Sequence, residues 1–539
     1  MTSLRHILPV ALIVAVVAGR PDISRADIEE EYWHQTGRYT AGRSLDRSGS
    51  QTSRSSAGLE DETTSAYWNN LAQSMLKTKT KVRQNTNQAK NIIIFLGDGM
   101  SIPTLAAARM YLGQLKGETG EEDELHWESF PYSGLSKTYC VDSQVADSAC
   151  SATAYLTGVK TNDGVIGLNA GVSYGDCEAM TNTSNHLSSI AQWALEGGKS
   201  AGIVTTTRVT HASPSGTYAR TADRNWESDA DVNDDGFNAS VCLDIATQLI
   251  TTYPGQDFQV ILGGGRREFL PTTTVDDEGD YGYREDGVDL IETWKQDKTD
   301  RDSSYSYVWN RSGLRQIIDN PNDVDYLLGL FESSHCQYQL EADPVTEPTL
   351  TEMTEAAIKI LQKNSNGYFL FVEGGRIDHA HHSTYTRLAL AETVELASAV
   401  RIADEMTDES DTLILVTADH AHVMSLSGYP VRGNDILGLS GINGADGLPY
   451  TTLSYANGPG YKTPSNSTRY DLSEDDFTYV RYEYPAMVPL NSETHGGDDV
   501  AIFTRGPWSH LFTGTLEQNT IPHFMAYAAC IGSGLTACT

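Results

Sequence analysis

Four short apolar runs in this chain end in residues that bind metal ions or phosphate. Asn91 to Gly97 runs into Asp98, and Ser200 to Thr207 leads to His211 and Ser213. Phe369 to Val372 runs into Glu373, with Asp378, His379, His381 and His382 close behind. Leu413 to Thr417 runs into Asp419 and His420, with His422 just after. Runs unbroken by polar alternation are expected as parallel strands buried on both faces. In open α/β sheets the chemistry collects at the carboxyl ends of such strands. Asp, Glu and His delivered there by four strands imply a multi-metal site, and hence a metalloenzyme.

The fold class expected is α/β, with a central, mostly parallel sheet flanked by helices on both faces and a small inserted lobe. Strand-like and helical stretches alternate from Asn91 to about Ser425, the pattern of a doubly wound sheet. Residues 350–362 and 388–406 are helix candidates. Gly, Pro, Tyr, Asn and Asp dominate 427–490 and no helical period holds there, so this stretch is expected as an insertion of short strands and loops. Residues 1–19 have the charged start, apolar run and small-residue cleavage site of a signal peptide. Residues 20–64, poor in apolar side chains, are expected as a flexible leader or propeptide. Tyr67, Trp68, Leu71, Met75 and Leu76 fall at helical spacing in a segment, 65–85, that precedes the first core strand and is free to pack on a partner subunit. The catalytic α/β domain then comprises 86–426 and 491–539.

At 539 residues, with 38 Lys and Arg against 72 Asp and Glu, the net charge is 38 − 72 = −34. A field of that sign repels polyphosphate backbones, so no nucleic-acid binding is expected. No segment after the signal is apolar enough to span a bilayer. Secretion is expected. Asn182, Asn238, Asn310 and Asn466 open Asn-x-Ser/Thr tripeptides, glycosylation candidates on that route. None of the seven cysteines lies in a C-x-x-C pair, which argues against a thiolate zinc site.

Several motifs can support chemistry. Asp147 or Ser148 makes a natural helix N-cap, and the free N–H groups of that turn would face an anion. A serine there is either an ordinary cap or a nucleophile whose pKa a metal lowers. Asp378 and His382 share a helical face at i and i+4. Asp419 and His420 offer zinc an oxygen and a nitrogen, whereas Glu373 and Ser213 are oxygen donors suited to magnesium. Two other strings are set aside. Gly171 to Gly175 spells G-x-S-x-G, but no strong strand precedes it and Cys177 follows where a helix should begin. Asp231 to Gly236 imitates half a calcium loop, yet its twelfth position is Cys242, so a polar surface loop is expected.

Together these segments strongly resemble the alkaline phosphatases of the animal type, from about Ser65 to Cys538. The motifs are 91–100, 147–155, 205–213, 372–382, 417–422 and 493–495. The resemblance implies that Ser148 is a nucleophile phosphorylated in each turnover and that Arg224 clamps the phosphate. It implies Asp378, His382 and His495 as ligands of one Zn2+, and Asp98, Asp419 and His420, with Ser148, around a second. Asp98, Ser213 and Glu373 match the Mg2+ ligands, with His211 and His379 one step behind. A Ca2+ site is implied at Glu278, the Phe331 carbonyl, Glu332 and Glu347. The substrates implied are small phosphate monoesters, with inorganic phosphate as product. The 427–490 insertion matches the family's crown and the 65–85 helix its N-terminal arm, both of which contact the second subunit of a homodimer. Cys177–Cys242 and Cys530–Cys538 match the usual disulfides, which leaves Cys140, Cys150 and Cys336, with Cys150 expected as a small buried side chain. The chain stops soon after Cys538 with no apolar tail of the kind exchanged for a lipid anchor, so either free secretion is expected or the sequence is truncated at this end.

Two rivals keep the fold and change the function. A sulfatase of this superfamily would carry a C/S-x-P-x-R string, which is absent, and a diesterase tends to use Thr as nucleophile. The other is a non-catalytic, acidic, calcium-binding secreted protein, against which every matched catalytic position is intact.

Overall fold

A computed structural model describes residues 61–464 and 468–538. The expected signal peptide, most of the expected leader and Asn466 lie outside the described residues. Strands β1 (Asn91–Gly97), β2 (Tyr132–Lys137), β3 (Ser200–Arg208), β4 (Val260–Gly264), β5 (Tyr305–Val308), β6 (Tyr326–Leu330), β7 (Tyr368–Gly374) and β8 (Thr412–Thr417) build most of the core sheet. Short strands follow: β9 (Ala421–His422), β10 (Met424–Leu426), β11 (Leu439–Asn443), β12 (Pro449–Thr451), β13 (Leu453–Gly458), β14 (Ala486–Pro489) and β15 (His495–Gly496). The chain returns to the core through β16 (Val500–Arg505) and β17 (Gly514–Glu517).

The core is a ten-stranded sheet in the order β17-β2-β16-β8-β1-β7-β3-β4-β6-β5. Every pairing in it is parallel except those of β16, which runs antiparallel to β8 and to β2. In β1, Ile93 and Phe95 join the core on one face, while Ile92, Ile94 and Leu96 join the core on the other. Burial on both faces removes the need for polar alternation, which is why these runs are continuously apolar. Residues 350–361 and 386–406 form long helices on one face. The first starts at a capping box in which Thr349 and Glu352 satisfy each other's backbone N–H groups.

The 427–490 insertion holds β11 to β14 and, among its described residues, no helix. Its two ends are tied by β9 and β15, which pair antiparallel with His422 opposite His495. The helix Ser65–Lys79 has no buried residue, and Trp68, Leu71, Met75 and Leu76 are each half exposed.

Three expectations need correction. Cys150 is not a lone buried thiol: it is bonded to Cys140, beside the bridges Cys177–Cys242 and Cys530–Cys538, and Cys336 alone is free. A short helix, Cys177–Thr181, does follow the G-x-S-x-G string, although turns rather than a strand precede it, so the nucleophile elbow still fails. Residues 229–234 form a helix instead of a surface loop, because Asp231 reaches back to the N–H and hydroxyl of Ser228 at 2.8 and 2.7 Å. Burial there pushes the Asp231 carboxyl up to about 8.

Candidate metal centre and active site

Strands β8, β1, β7 and β3 are neighbours at the middle of the sheet. Their register sets Glu373 beside Leu96 and Thr205, so the loops after β1, β3 and β8 open around one point. Gly99, at φ 64°, turns the chain after Asp98 and donates its N–H to Asp419 Oδ1 at 2.9 Å. A Cβ on Gly99 would lie 2.3 Å from the His422 ring, so the close approach of these loops requires glycine.

Two sets of donor atoms result, one of three and one of four. Asp378 Oδ1 lies 3.4 Å from His382 Nε2 and 3.3 Å from His495 Nε2, and the two nitrogens are 3.0 Å apart. In the second, His420 Nε2 lies 3.5 Å from Asp98 Oδ1, 3.2 Å from Asp419 Oδ2 and 3.2 Å from Ser148 Oγ. Tetrahedral bonds of about 2.0–2.1 Å place ligand atoms roughly 3.3 Å apart, so both spacings fit such an ion. Asp98, His211 and Glu373 bring donor atoms within 4.8 Å of one another in a third cluster, and Ser213 is buried beside them.

The electrostatics fit cations as well. Both oxygens of Asp98, Asp419 Oδ2, Glu373 Oε1 and Ser213 Oγ are buried without a hydrogen-bond partner. Orphaned buried oxygens are costly unless a cation satisfies them. Burial, then the neighbouring carboxylates, holds Asp98 well above the usual range, and burial raises Glu373 and Asp419 in the same way. Burial pushes His382 down to about 3 and holds His420 well below the usual imidazole range, which leaves neutral rings ready to ligate. At Asp378 burial is outweighed by His382 and His422, and the carboxyl stays well below its ordinary value.

Ser148 opens the helix Ser148–Thr157, whose cap Asp147 accepts the Cys150 N–H at 3.0 Å. The other Asp147 oxygen accepts from the Arg224 guanidinium at 3.0 Å, and His211 Nε2 lies 3.2 Å from the same group. Arg224 is thereby fixed beside the serine. His379 sits farther out, with Nδ1 2.9 Å from the Arg376 guanidinium and its ring against His211.

Several contributors were not singled out as site residues. His422 Nε2 lies 2.6 Å from Asp378 Oδ1, and its Nδ1 makes a short contact with Glu493. Against burial, those two carboxylates bring His422 up to about 10. His422 stands in the same 417–422 motif as Asp419, which is the signal that could have found it. Glu493 stands in the 493–495 motif with His495, but its pairing with His422, 71 residues away, had no signal in the spacing. Thr205 and Thr207 donate to Glu373 Oε2 at 2.5 and 3.1 Å, leaving its other oxygen free for a cation. His335 bonds Arg208 and packs on His379.

The model of the alkaline phosphatase family matches residues 89–531. The chain belongs to the alkaline phosphatase family. As a family member it is a phosphomonoesterase. It is 52% identical over 482 residues to the membrane-bound alkaline phosphatase of Bombyx mori, covering 88% of this chain and 87% of that one. It is 47% identical over 486 residues to the human tissue-nonspecific isozyme, covering 89% and 91%. Among solved structures, the Thermus thermophilus alkaline phosphatase superposes with a TM-score of 0.59 at 21% identity, over 84% of this chain and 94% of that one. The enzyme from the Antarctic bacterium TAB5 gives 0.55 at 20% identity, over 83% and 100%. These two likenesses bear on the fold, an alkaline-phosphatase-like α/β sheet.

Proposed function

We propose that this family member is a secreted phosphomonoesterase that works at alkaline pH through a phosphoserine at Ser148, with two Zn2+ and one Mg2+ per chain. The observation that carries the reading is Ser148 Oγ standing in a set of four donors beside a triangle of three, both with tetrahedral spacing. Asp378, His382 and His495 would hold one zinc, and Asp98, Asp419 and His420 the other. The all-oxygen donors of Asp98, Ser213 and Glu373 suit magnesium. When bound, such ions supply Lewis acidity and positive charge for phosphoryl transfer.

The protein's residues do the rest. Arg224 presents a planar fork to two phosphoryl oxygens, oriented by Asp147 and His211. The N-terminal N–H groups of the Ser148 helix favour the same anion. Ser148 Oγ loses its proton and attacks phosphorus in line, so that the ester oxygen leaves as the alcohol. Water then attacks the phosphoserine and releases inorganic phosphate and the free serine. Only the phosphoryl group is gripped, which accounts for a broad range of small monoesters. Arg224→Ala is expected to raise KM and the phosphate inhibition constant by about 10- to 100-fold with metal content kept. Unchanged phosphate affinity would remove the clamp role.

One Ca2+ completes the reading, at Glu278, Glu332, Glu347 and the Phe331 carbonyl, where all donors are hard oxygens. Burial, then Glu278, brings Glu332 to about 7; burial, then Glu332, brings Glu347 to about 9. Glu347 Oε2 is an orphan, whereas Glu278 is engaged by Arg266. Secretion is supported by three disulfides and by exposure of Asn182 and Asn238, while Asn310 is half-buried as a helix cap. Among the described residues no helix is long and apolar enough to cross a membrane. A homodimer is supported by the exposed apolar stripe of the Ser65–Lys79 helix, which no other described residue covers. Leu71→Glu with Met75→Glu is expected to shift the protein toward monomer in light scattering, and an unshifted dimer would place the interface elsewhere.

The deciding experiment combines elemental analysis with turnover of p-nitrophenyl phosphate, bis(p-nitrophenyl) phosphate and p-nitrophenyl sulfate across pH, before and after EDTA. Two zinc and one magnesium with chelator-sensitive monoesterase activity rising toward alkaline pH are expected. Full metal with preferred diester or sulfate turnover, or with none, would overturn the reading.

A further inference from the structure

The segment that leads into the Ser148 helix is closed on itself. Cys140 and Cys150 are bridged with their Cα atoms 5.8 Å apart, and both are buried. With Ala146 they form a small apolar cluster separate from the two main cores. Three consecutive residues inside that ring touch the active site. The Ala146 carbonyl lies 2.8 Å from His495 Nδ1, Asp147 accepts from Arg224 at 3.0 Å, and Ser148 Oγ lies 3.2 Å from His420. Each of these partners comes from a distant stretch of chain. The outer part of the ring, 141–145, is lightly anchored. Val141 and Val145 are exposed, and the backbone is held at its outer end by Val141 N–H to Thr161 and by Asp142 accepting the Asp163 N–H.

We infer that the Cys140–Cys150 disulfide is a positioning crosslink for catalysis, holding Ala146, Asp147 and Ser148 in register. Nucleophile, arginine clamp and His495 then meet the phosphoryl group together. This rests on the proposed roles of Ser148, Arg224 and His495. Closing a loop cuts its conformational freedom. Phosphoryl transfer depends on placement, since a misplacement of about 1 Å can cost ~100-fold in rate. The bridge makes a single unit of the three contacts, which a free loop would have to order separately.

The test compares the Cys140→Ser/Cys150→Ser double variant with Cys530→Ser/Cys538→Ser, whose bridge closes a short loop near the C-terminus. The readouts at 25 °C are kcat, KM, the phosphate inhibition constant, zinc content and Tm. The first variant is expected to lose about tenfold in kcat/KM and to bind phosphate more weakly with zinc kept, while the second keeps wild-type kinetics. Wild-type kinetics with only a lowered Tm in the first variant would reduce the bridge to a stabilising role and overturn the inference. Should that variant fail to fold, the native holoenzyme is reduced with a water-soluble phosphine. The S–S bond breaks, each sulfur takes a proton, and the phosphine gains the oxygen of water as its oxide. Activity is then expected to fall in step with reduction of Cys140–Cys150, followed by mass spectrometry, and to return on reoxidation. Full reduction with full activity would equally overturn it. Ser148→Ala separates the two levels. Turnover retained there defeats the underlying reading, whereas an inactive Ser148→Ala beside kinetically normal cysteine variants defeats the crosslink alone.

Discussion

Replacing Ser148 with alanine is expected to lower monoester turnover by about 10³-fold or more while leaving the folded, metal-loaded protein intact. The side chain is buried at the first position of its helix and, among the described residues, its hydroxyl bonds only by the 3.2 Å approach to His420. The cap of that helix is supplied by Asp147, so the helix survives the substitution. One neutral hydrogen bond contributes only about 1 kcal/mol to stability. Tm and zinc content should therefore move little as kcat collapses, and acid-quenched enzyme should carry no phosphoryl label. Activity within tenfold of wild type would sink the nucleophile role.

Removing the metals is expected to produce the second large effect, with a distinctive pH signature. Asp98, Glu373 and Asp419 have folded-state pKa values raised above those of an unfolded chain. In the chelated protein their contribution to stability is fully present below the ordinary carboxylate range. It is lost as pH rises through the raised values, because the fold must then bury charges that nothing neutralises. Cations reverse the preference by favouring the ionised carboxylates and the neutral His382 and His420. The gap in Tm between loaded and chelated protein should widen as pH rises above the ordinary carboxylate range and reach about 10 °C or more, since tight ligands contribute several kcal/mol. Differential scanning calorimetry with and without EDTA reads this directly. A gap that narrows with rising pH would mean that these carboxylates are not the ligands.

The centre of the sheet was legible in the sequence because β1, β3, β7 and β8 are covered on both faces, and continuous apolar runs are what such burial selects. Their terminal Asp, Glu and His residues could be grouped for the same reason, since the rule about carboxyl ends needs only strand ends. Outer strands such as β2 and β17 gave no such signal, because half their side chains reach water and their sequences look like loop. Contacts formed by folding alone stayed hidden. Nothing in local spacing joins Glu493 to His422, or Asp147 to Arg224. Cys140 and Cys150 are near in sequence, yet a resemblance that matched only the other two bridges left them unpaired.

The β9–β15 clasp separates two lengths of chain that have different freedoms. His422 and His495 face each other across it, so the excursion between them leaves and rejoins the body at one fixed point beside the candidate metal ligands. A detour whose ends are already pinned adds little closure entropy as it lengthens, because that term grows only with the logarithm of length. Its exposed stretches, such as the one around Tyr429 and Val431, can therefore change in length, whereas Leu453, Tyr455 and Tyr484 are buried in the main core and have to stay. Those exposed stretches can thus vary at a rate of their own, without renegotiating the chemistry at the sheet edge.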